Sequence, residues 1–77
     1  MTLADLIQGQ RCVVEKVQAP EPLSRRLLDL GFVPGTTVLA QHVNGKGLSA
    51  YYLRGSVFAL RQDTAAQIVV KPKGDLS

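Results

Sequence analysis

The sequence contains one cysteine and one histidine, Cys12 and His42, which are residue types often used as nucleophile, general base or metal ligand. They lie 30 positions apart on separate predicted strands, and no local catalytic motif surrounds either of them. Nucleophilic catalysis needs a nucleophile, a base and an orienting group. Since a free cysteine is more often a small buried hydrophobic residue, we favour a protein that is not an enzyme.

A tight metal site also lacks ligands in this sequence. Stable zinc sites use about four N, S or O ligands, and one Cys with one His falls short of that number. An open alternative is a weaker site that uses His42 or Cys12 together with carboxylates or a second subunit. Ferrous iron would favour mixed N and O ligands in such a site. We therefore expect no resident cofactor, with weak binding of Fe²⁺ or another divalent metal as the alternative.

A glycine-rich segment, Asn44-Gly45-Lys46-Gly47, superficially suggests a phosphate-binding loop. A P-loop needs a longer glycine frame, a Lys followed by Ser or Thr, and a helix behind it. Here Leu48 opens a predicted strand. Because Asn and Gly both tolerate positive φ, the segment instead predicts a β-hairpin turn at Asn44-Gly45.

The basic residues do not form a nucleic-acid-binding pattern. The net charge of +3 comes from 9 basic and 6 acidic residues, and we interpret it as diffuse. Tyr51 and Tyr52 are adjacent, so on a strand they point to opposite faces and make a poor stacking platform for bases. We expect no nucleic-acid partner. The cations that could share one face are Arg25, Arg26, Lys46, Arg54 and Arg61.

Two elements in the first half of the chain are predicted from its apolar pattern. The β-branched segment Arg11–Val17 predicts a strand. Leu23, Leu27 and Leu30 then repeat at the spacing of one helical face, which predicts a helix that packs on a core. Gly31 can end this helix in the left-handed conformation.

The second half of the chain predicts four more strands joined by short links. Pro34-Gly35 is typical of a type II turn, Arg54-Gly55 predicts a tight turn, and Asp63 can cap one helical turn. Five short strands at this spacing indicate a small closed or nearly closed β-barrel, in which closure removes exposed edges. The predicted strands are 36–43, 48–53, 56–61 and 68–71, and a helical turn is predicted at 2–6.

Length and composition fit one small domain. The 77 residues are 45% hydrophobic and 19% charged, which excludes a disordered chain. We expect a single domain at 1–72 and a polar tail at 73–77. With one cysteine, no secretory signal and no apolar run of about 18 residues, the sequence predicts a cytoplasmic protein.

Three segments resemble a known family. They are RRLLDLGFVPGTTV at 25–38, YYLRG at 51–55 and ALRQDTAAQIVV at 59–70, and the opening Leu3–Gly9 also agrees. Over about 3–70 the chain resembles the FeoA family, small cytoplasmic accessory proteins of ferrous-iron transport. The resemblance implies a mainly β, SH3-like five-stranded barrel with an α-helix inserted after the first strand.

The resemblance also implies a partner, a membrane-embedded ferrous-iron transporter with a cytoplasmic GTPase domain (FeoB). The chain would then reach the membrane only through that partner. The family's segment after the second strand often reads like Ala-Pro-Leu-Gly-Asp-Pro, whereas 43–48 here reads Val-Asn-Gly-Lys-Gly-Leu. Contacts in that loop are therefore not carried over from the family. Similar domains occur at the C-terminus of metal-dependent repressors. No catalytic residues carry over from the family.

We therefore predict a non-enzymatic accessory protein of ferrous-iron uptake that binds the GTPase part of a FeoB-type transporter. The alternative is a direct divalent transition-metal-binding or iron-sensing domain that uses His42 and Cys12. The apolar residues of the helix could instead only hold it to the barrel, and a homodimer also stays open. The predicted partner-binding residues are Arg25, Arg26, Phe32, Lys46 and Arg54.

Overall fold

Five antiparallel strands and three short helical segments make up the fold. The computed structural model describes residues 1–73, so of the predicted tail at 73–77 all but Lys73 lies outside the described residues. The mainly β prediction, with a helix after the first strand, is confirmed. The elements are a 3₁₀ helix Leu3–Asp5, β1 Arg11–Val17, α1 Leu23–Leu30, β2 Thr37–His42, β3 Leu48–Leu53, β4 Ser56–Arg61, α2 Gln62–Ala65 and β5 Ile68–Pro72.

The strands form one sheet in the order β4-β3-β2-β1-β5. The register shifts between Val14 and Lys16 in β1–β5 and between Ala40 and His42 in β2–β3. Such irregularities bend a strand and increase its twist, which helps the sheet to curl around a core. The β3–β4 ladder has no shift and runs through six consecutive pairs. This hairpin is therefore the most regular part of the sheet.

Hydrogen bonds between strands do not close the barrel. Within residues 1–73, β4 pairs with β3 alone, and β5 pairs with β1. The 3₁₀ helix and α2 occupy the position between them: Gln62 Nε2 donates to the Ala4 carbonyl at 3.1 Å. The outer edge of β5 meets the N-terminal segment through a Thr2–Val69 bridge. Of the two expected forms, closed or nearly closed, the barrel is the second, and the edge of β4 stays unpaired within residues 1–73.

The core fills the inside of the curled sheet and follows the alternation of the strands. Cys12 and Val14 of β1 and Val38 and Ala40 of β2 are all buried. The Tyr51 hydroxyl donates to the Leu3 carbonyl at 3.4 Å, which ties β3 to the 3₁₀ helix. Within 1–73, no helix is long and apolar enough to cross a membrane.

The C-terminus of α1 is a Schellman motif, as the glycine at its end predicted. Gly31 has φ +115°, and its N–H donates to the Leu28 carbonyl at 3.0 Å. The Phe32 N–H donates to the Leu27 carbonyl at 3.1 Å. These two bonds satisfy carbonyls that the helix leaves unpaired. They also turn Phe32 into the core, where its ring centroid lies 6.4 Å from that of Phe58 on β4.

The two hairpins in the second half of the chain have turns of different geometry, and the predicted tight turn at Arg54-Gly55 is confirmed. Arg54 and Gly55 have φ of 52° and 84°, which is the pattern of a type I′ turn between β3 and β4. Neither Asn44 nor Gly45 has positive φ. Their hairpin forms, but Asn44 Oδ1 accepts from the Lys46 N–H at 3.0 Å in a local side-chain turn instead. The predicted hairpin is therefore confirmed, but its loop does not use the positive φ that Asn44 and Gly45 tolerate.

Two smaller expectations also differ from the structure. Leu30 was predicted to lie on the buried face of α1. It is instead 38% exposed, whereas Leu27 on the same helix is 2% exposed. Asp63 does not cap α2, because the helix begins one residue earlier, at Gln62, with Arg61 at the N-cap.

The predicted turn at Pro34-Gly35 is confirmed. Gly35 has φ +94°, and the Thr36 N–H donates across the turn to the Val33 carbonyl.

We expect Gly31→Ala to lower the free energy of unfolding by about 1 to 3 kcal/mol, because an L-residue is strained at this φ. A Cβ at Gly31 would also lie 3.3 Å from Leu53 Cδ1 and from Arg54 Cδ. Urea unfolding followed by circular dichroism measures the change.

Gly45→Ala is the matched control for this prediction. Gly45 has no positive φ, and a Cβ there would meet no atom within 4 Å. We expect its stability to stay unchanged or to rise by up to about 1 kcal/mol, because alanine restricts the unfolded chain. Equal losses in the two variants would contradict the role assigned to Gly31.

Candidate functional site

A groove runs between α1 and β4, and we call it the α1–β4 groove. It has a volume of about 360 Å³. Leu23, Leu27 and Leu30 of the helix form an apolar wall, with Arg26 beside them. The opposite wall is made by Ala59, Leu60 and Arg61 of β4 together with Leu48 and Thr64.

A second groove of about 440 Å³ adjoins the first, and we call it the loop groove. Its lining comes from the 45–48 loop and from Arg61, Gln62 and Asp63. Leu48 and Arg61 line both grooves, so the two form one continuous surface. Leu48 is 53% exposed, which leaves an apolar side chain uncovered where the two grooves meet.

The loop that carries Lys46 is held by hydrogen bonds at its base. The Asn44 N–H donates to Ser49 Oγ at 2.9 Å, and the Gly47 N–H donates to the Asn44 carbonyl at 3.3 Å. Ser49 is buried, so its hydroxyl anchors the loop to β3. Lys46 is thereby positioned in the lining of the loop groove.

The cations of this surface have no acidic partner within the described chain. In residues 1–73 the recorded ion pair is Lys71–Glu15, at 3.9 Å and on exposed side chains. Arg26, Lys46 and Arg61 are exposed and form none there. Their charges are therefore available to a ligand.

The structure separates the residues that we predicted to bind a partner. Arg25, Arg26, Lys46 and Arg54 are exposed, but only Arg26 and Lys46 line a groove. The Arg54 side chain lies beside Gly31 at the end of α1 instead. The direct contact of these residues with a partner stays a prediction.

Phe32 is fully buried, with 0% of its surface exposed. The Schellman motif turns the residue inward, so its ring packs in the core and cannot belong to an exposed docking surface. Phe32 supports the surface only indirectly, by holding the end of α1 near Phe58 of β4.

Among the groove residues, sequence reasoning did not assign Leu30 or Leu48 to a binding surface, and it named Arg61 only as one of the cations that could share a face. Leu30 was assigned to the core stripe of the helix, and Leu48 was treated only as the start of a strand. A usable signal existed for the last two, since a two-residue turn at Arg54-Gly55 pairs Leu48 directly with Arg61. The residues that lie opposite Leu30, in contrast, depend on where α1 packs.

Cys12 and His42 are not brought together. Cys12 pairs with Val38, and His42 lies four residues further along β2, about 13 Å away at the strand rise of roughly 3.3 Å per residue. Cys12 is fully buried while His42 is exposed. In the described residues no three His, Cys, Asp or Glu side chains gather as metal ligands. These donors do not fit a tight metal site.

Burial also makes the Cys12 thiol a poor ligand and nucleophile. Desolvation raises its pKa from 9.0 to about 11, against a smaller opposing effect of a backbone hydrogen bond at Val38. The thiolate is the form that binds metals and attacks electrophiles. Burial likewise raises the pKa of Tyr51, its neighbour in the core.

The family model of the FeoA domain matches residues 1–72. This chain belongs to the FeoA family. The FeoA of Stenotrophomonas maltophilia, crystallised with zinc, is 36% identical and has a TM-score of 0.85, with 92% of this chain and 89% of that one covered. It is described as a prokaryotic SH3 domain protein and a candidate ferrous-iron transport activating factor.

Two further solved structures place the fold in context. The FeoA of Chlorobium tepidum is 29% identical at a TM-score of 0.87, with 96% of this FeoA-family chain and 71% of that protein covered. A manganese-dependent transcriptional repressor shares the fold at 15% identity and a TM-score of 0.85, with 95% of this chain and 41% of the repressor covered. No curated protein gives a significant match.

We expect stability to fall as the pH rises above 9. The unfolded Cys12 thiol loses its proton near pH 9.0, whereas the folded thiol keeps it until about pH 11. The folded state binds more protons than the unfolded state in this window. The stability that the protonated thiol contributes is therefore fully present below pH 9 and is lost progressively up to about pH 11. The total loss is about 2 to 3 kcal/mol, measurable by urea unfolding across the window.

Cys12→Ala is the control for this pH dependence. The variant is less stable at neutral pH, but its stability should fall less steeply above pH 9, with Tyr51 accounting for the remainder. Identical slopes in the variant and the parent would show that Cys12 does not titrate as proposed.

Proposed function

We propose that this chain is a non-enzymatic accessory factor of ferrous-iron uptake in the cytoplasm. In this proposal it binds the cytoplasmic GTPase part of a FeoB-type transporter and changes the transporter's assembly or activity. The chain would act by contact, with no chemical step of its own.

The match of the FeoA family model to residues 1–72 carries this proposal. A relative that is 36% identical over most of both chains is described as a candidate ferrous-iron transport activating factor. Because one fold can serve many functions, the fold alone would be a weak argument. The identity to that relative supports a shared role more directly.

The surface of the molecule agrees with a role in binding. Arg26, Lys46 and Arg61 surround apolar side chains that the fold leaves uncovered, among them Leu30 and Leu48. Apolar centres with a charged rim are typical of protein-binding surfaces. Cys12, by contrast, is sealed in the core with a raised pKa, which argues against its use as a nucleophile.

Direct metal binding or iron sensing is the second candidate. The observation that favours it is the zinc bound in the Stenotrophomonas maltophilia relative. In this chain the exposed ligand would be His42, and further ligands would have to come from nearby exposed groups or from a second molecule. A lone imidazole supports weak binding only.

Co-purification with the isolated cytoplasmic domain of the transporter tests the first proposal. We expect the chain to be retained by that domain in the presence or absence of GTP, with Lys46→Glu weakening retention roughly threefold or more. Lys16→Glu, at an exposed position of β1, changes the net charge equally and should have no effect. No retention in either nucleotide state would contradict direct docking.

Calorimetry with Fe²⁺ under anaerobic conditions, and with Zn²⁺, separates the second candidate from the first. An accessory factor without a metal site gives no saturable heat. A stoichiometric signal that disappears in His42→Ala would establish the metal-binding alternative, whereas Cys12→Ala should not affect it because the thiol is buried.

A further inference from the structure

The outer edge of β4 has unpaired backbone groups. Leu53 and Ser56 flank the two-residue turn and form a hydrogen-bonded pair. Hydrogen-bonded and non-hydrogen-bonded pairs alternate along an antiparallel ladder, so Val57 and Ala59 direct their N–H and C=O groups away from β3. No other part of residues 1–73 bonds to these groups.

This edge has few of the features that normally prevent strand addition. Natural edges are blocked by prolines, by bulges, by charges or by a covering segment. β4 contains no proline, and its ladder with β3 has no bulge. Its one charged residue, Arg61, lies at the end. The other sheet edge, on β5, is covered by the N-terminal bridge from Thr2 to Val69.

The helix α1 supplies a wall opposite this edge. Phe58 and Leu60 of β4 point inward and share the core with Leu27 of α1. A strand added to β4 alternates in the same way, so every second side chain would face the helix leucines Leu23 and Leu30. The remaining side chains would lie on the exposed side with Ala59 and Arg61.

The positive charge of the chain is concentrated along this path. Arg26, Lys46 and Arg61 line the two grooves with one carboxylate, Asp63. The grooves therefore carry +2 of the net +3 of the whole chain. This corrects our interpretation of the charge as diffuse, and it indicates an acidic ligand.

We propose that the α1–β4 groove binds an extended, acidic segment of a partner protein, which adds to β4 as an antiparallel or parallel sixth strand. Main-chain bonds from Val57 and Ala59 provide affinity, and alternate side chains provide specificity. Apolar side chains of the segment face the leucines of α1, while its carboxylates meet Arg26, Arg61 and, beyond them, Lys46.

A second copy of this chain fits the groove less well. Pairing β4 with β4 about a two-fold axis would bring two cationic grooves together, and like charges across an interface are unfavourable. The proposal deepens the proposed function, since the transporter would supply the segment. Binding of an acidic strand to the groove can nevertheless be tested with a peptide, without the transporter.

The test titrates the ¹⁵N-labelled full chain with the capped hexapeptide Glu-Val-Glu-Val-Glu-Val. We expect saturable shifts of the Val57 and Ala59 amide signals and weaker binding at high salt. The Lys-for-Glu version of the peptide should not bind. The same peptide methylated at alternate backbone nitrogens should also fail, because it cannot pair with the edge.

Variants of the chain locate the contact. Ala59→Pro removes an outward N–H that β3 does not use, a position where edge strands tolerate proline. We expect it to weaken binding roughly tenfold or more. Ala59→Ser keeps the N–H and should bind normally. Arg26→Glu should weaken binding roughly threefold or more, while Lys16→Glu, at an exposed position of β1 outside the grooves, should not.

Several results would overturn the proposal. Among them are no binding at millimolar peptide, shifts confined to other strands, and binding that persists in both Ala59→Pro and Arg26→Glu. A peptide-free dimer that Ala59→Pro abolishes would assign the edge to a second copy instead.

Two results separate the groove proposal from the proposed function. If the transporter domain retains Ala59→Pro as well as the parent, docking stands and the groove proposal fails. If the peptide binds but the transporter domain does not, the groove stands and the proposed function fails.

Discussion

The left-handed glycine at the end of α1 is the constraint on which the surface depends. Gly31 lets the chain reverse so that Phe32 enters the core and packs near Phe58 of β4. The Leu53 and Arg54 side chains pack against the same glycine. The end of the helix is therefore tied to the β3–β4 hairpin. That attachment fixes α1 alongside β4 and creates the groove between them.

The sequence predicted the elements well because each has a local cause. The bounds of β1, β3 and β4 coincide with the predicted ones, and α1 ends before Gly31 as predicted, since prolines, glycines and changes of periodicity mark the ends of these elements. The hairpin at Asn44-Gly45 forms as predicted, but its loop lacks the positive φ that these residues tolerate, because Asn44 bonds to Lys46 and Ser49 instead. The groove could not be predicted, because it depends on the packing of α1 against a strand about thirty positions later.

The incomplete closure of the barrel gives its two edges different environments. The N-terminal segment bonds to β5, where the Val70 N–H donates to the Met1 carbonyl at 2.9 Å. At β4 the chain instead turns directly into α2. An unprotected edge is a hazard for aggregation unless it is short or charged. Here the hazard is limited because cations repel a second copy while they attract an acidic strand.

The same fold occurs in part of a manganese-dependent repressor at 15% identity, and one fold can carry many functions. What can differ between such proteins is the surface beside α1 and β4. In this chain three of nine basic residues and one of six acidic residues lie there. The rest of the sequence is nearly neutral. Because Lys46 lies in an exposed loop, the charge of this surface can change without any change in the core.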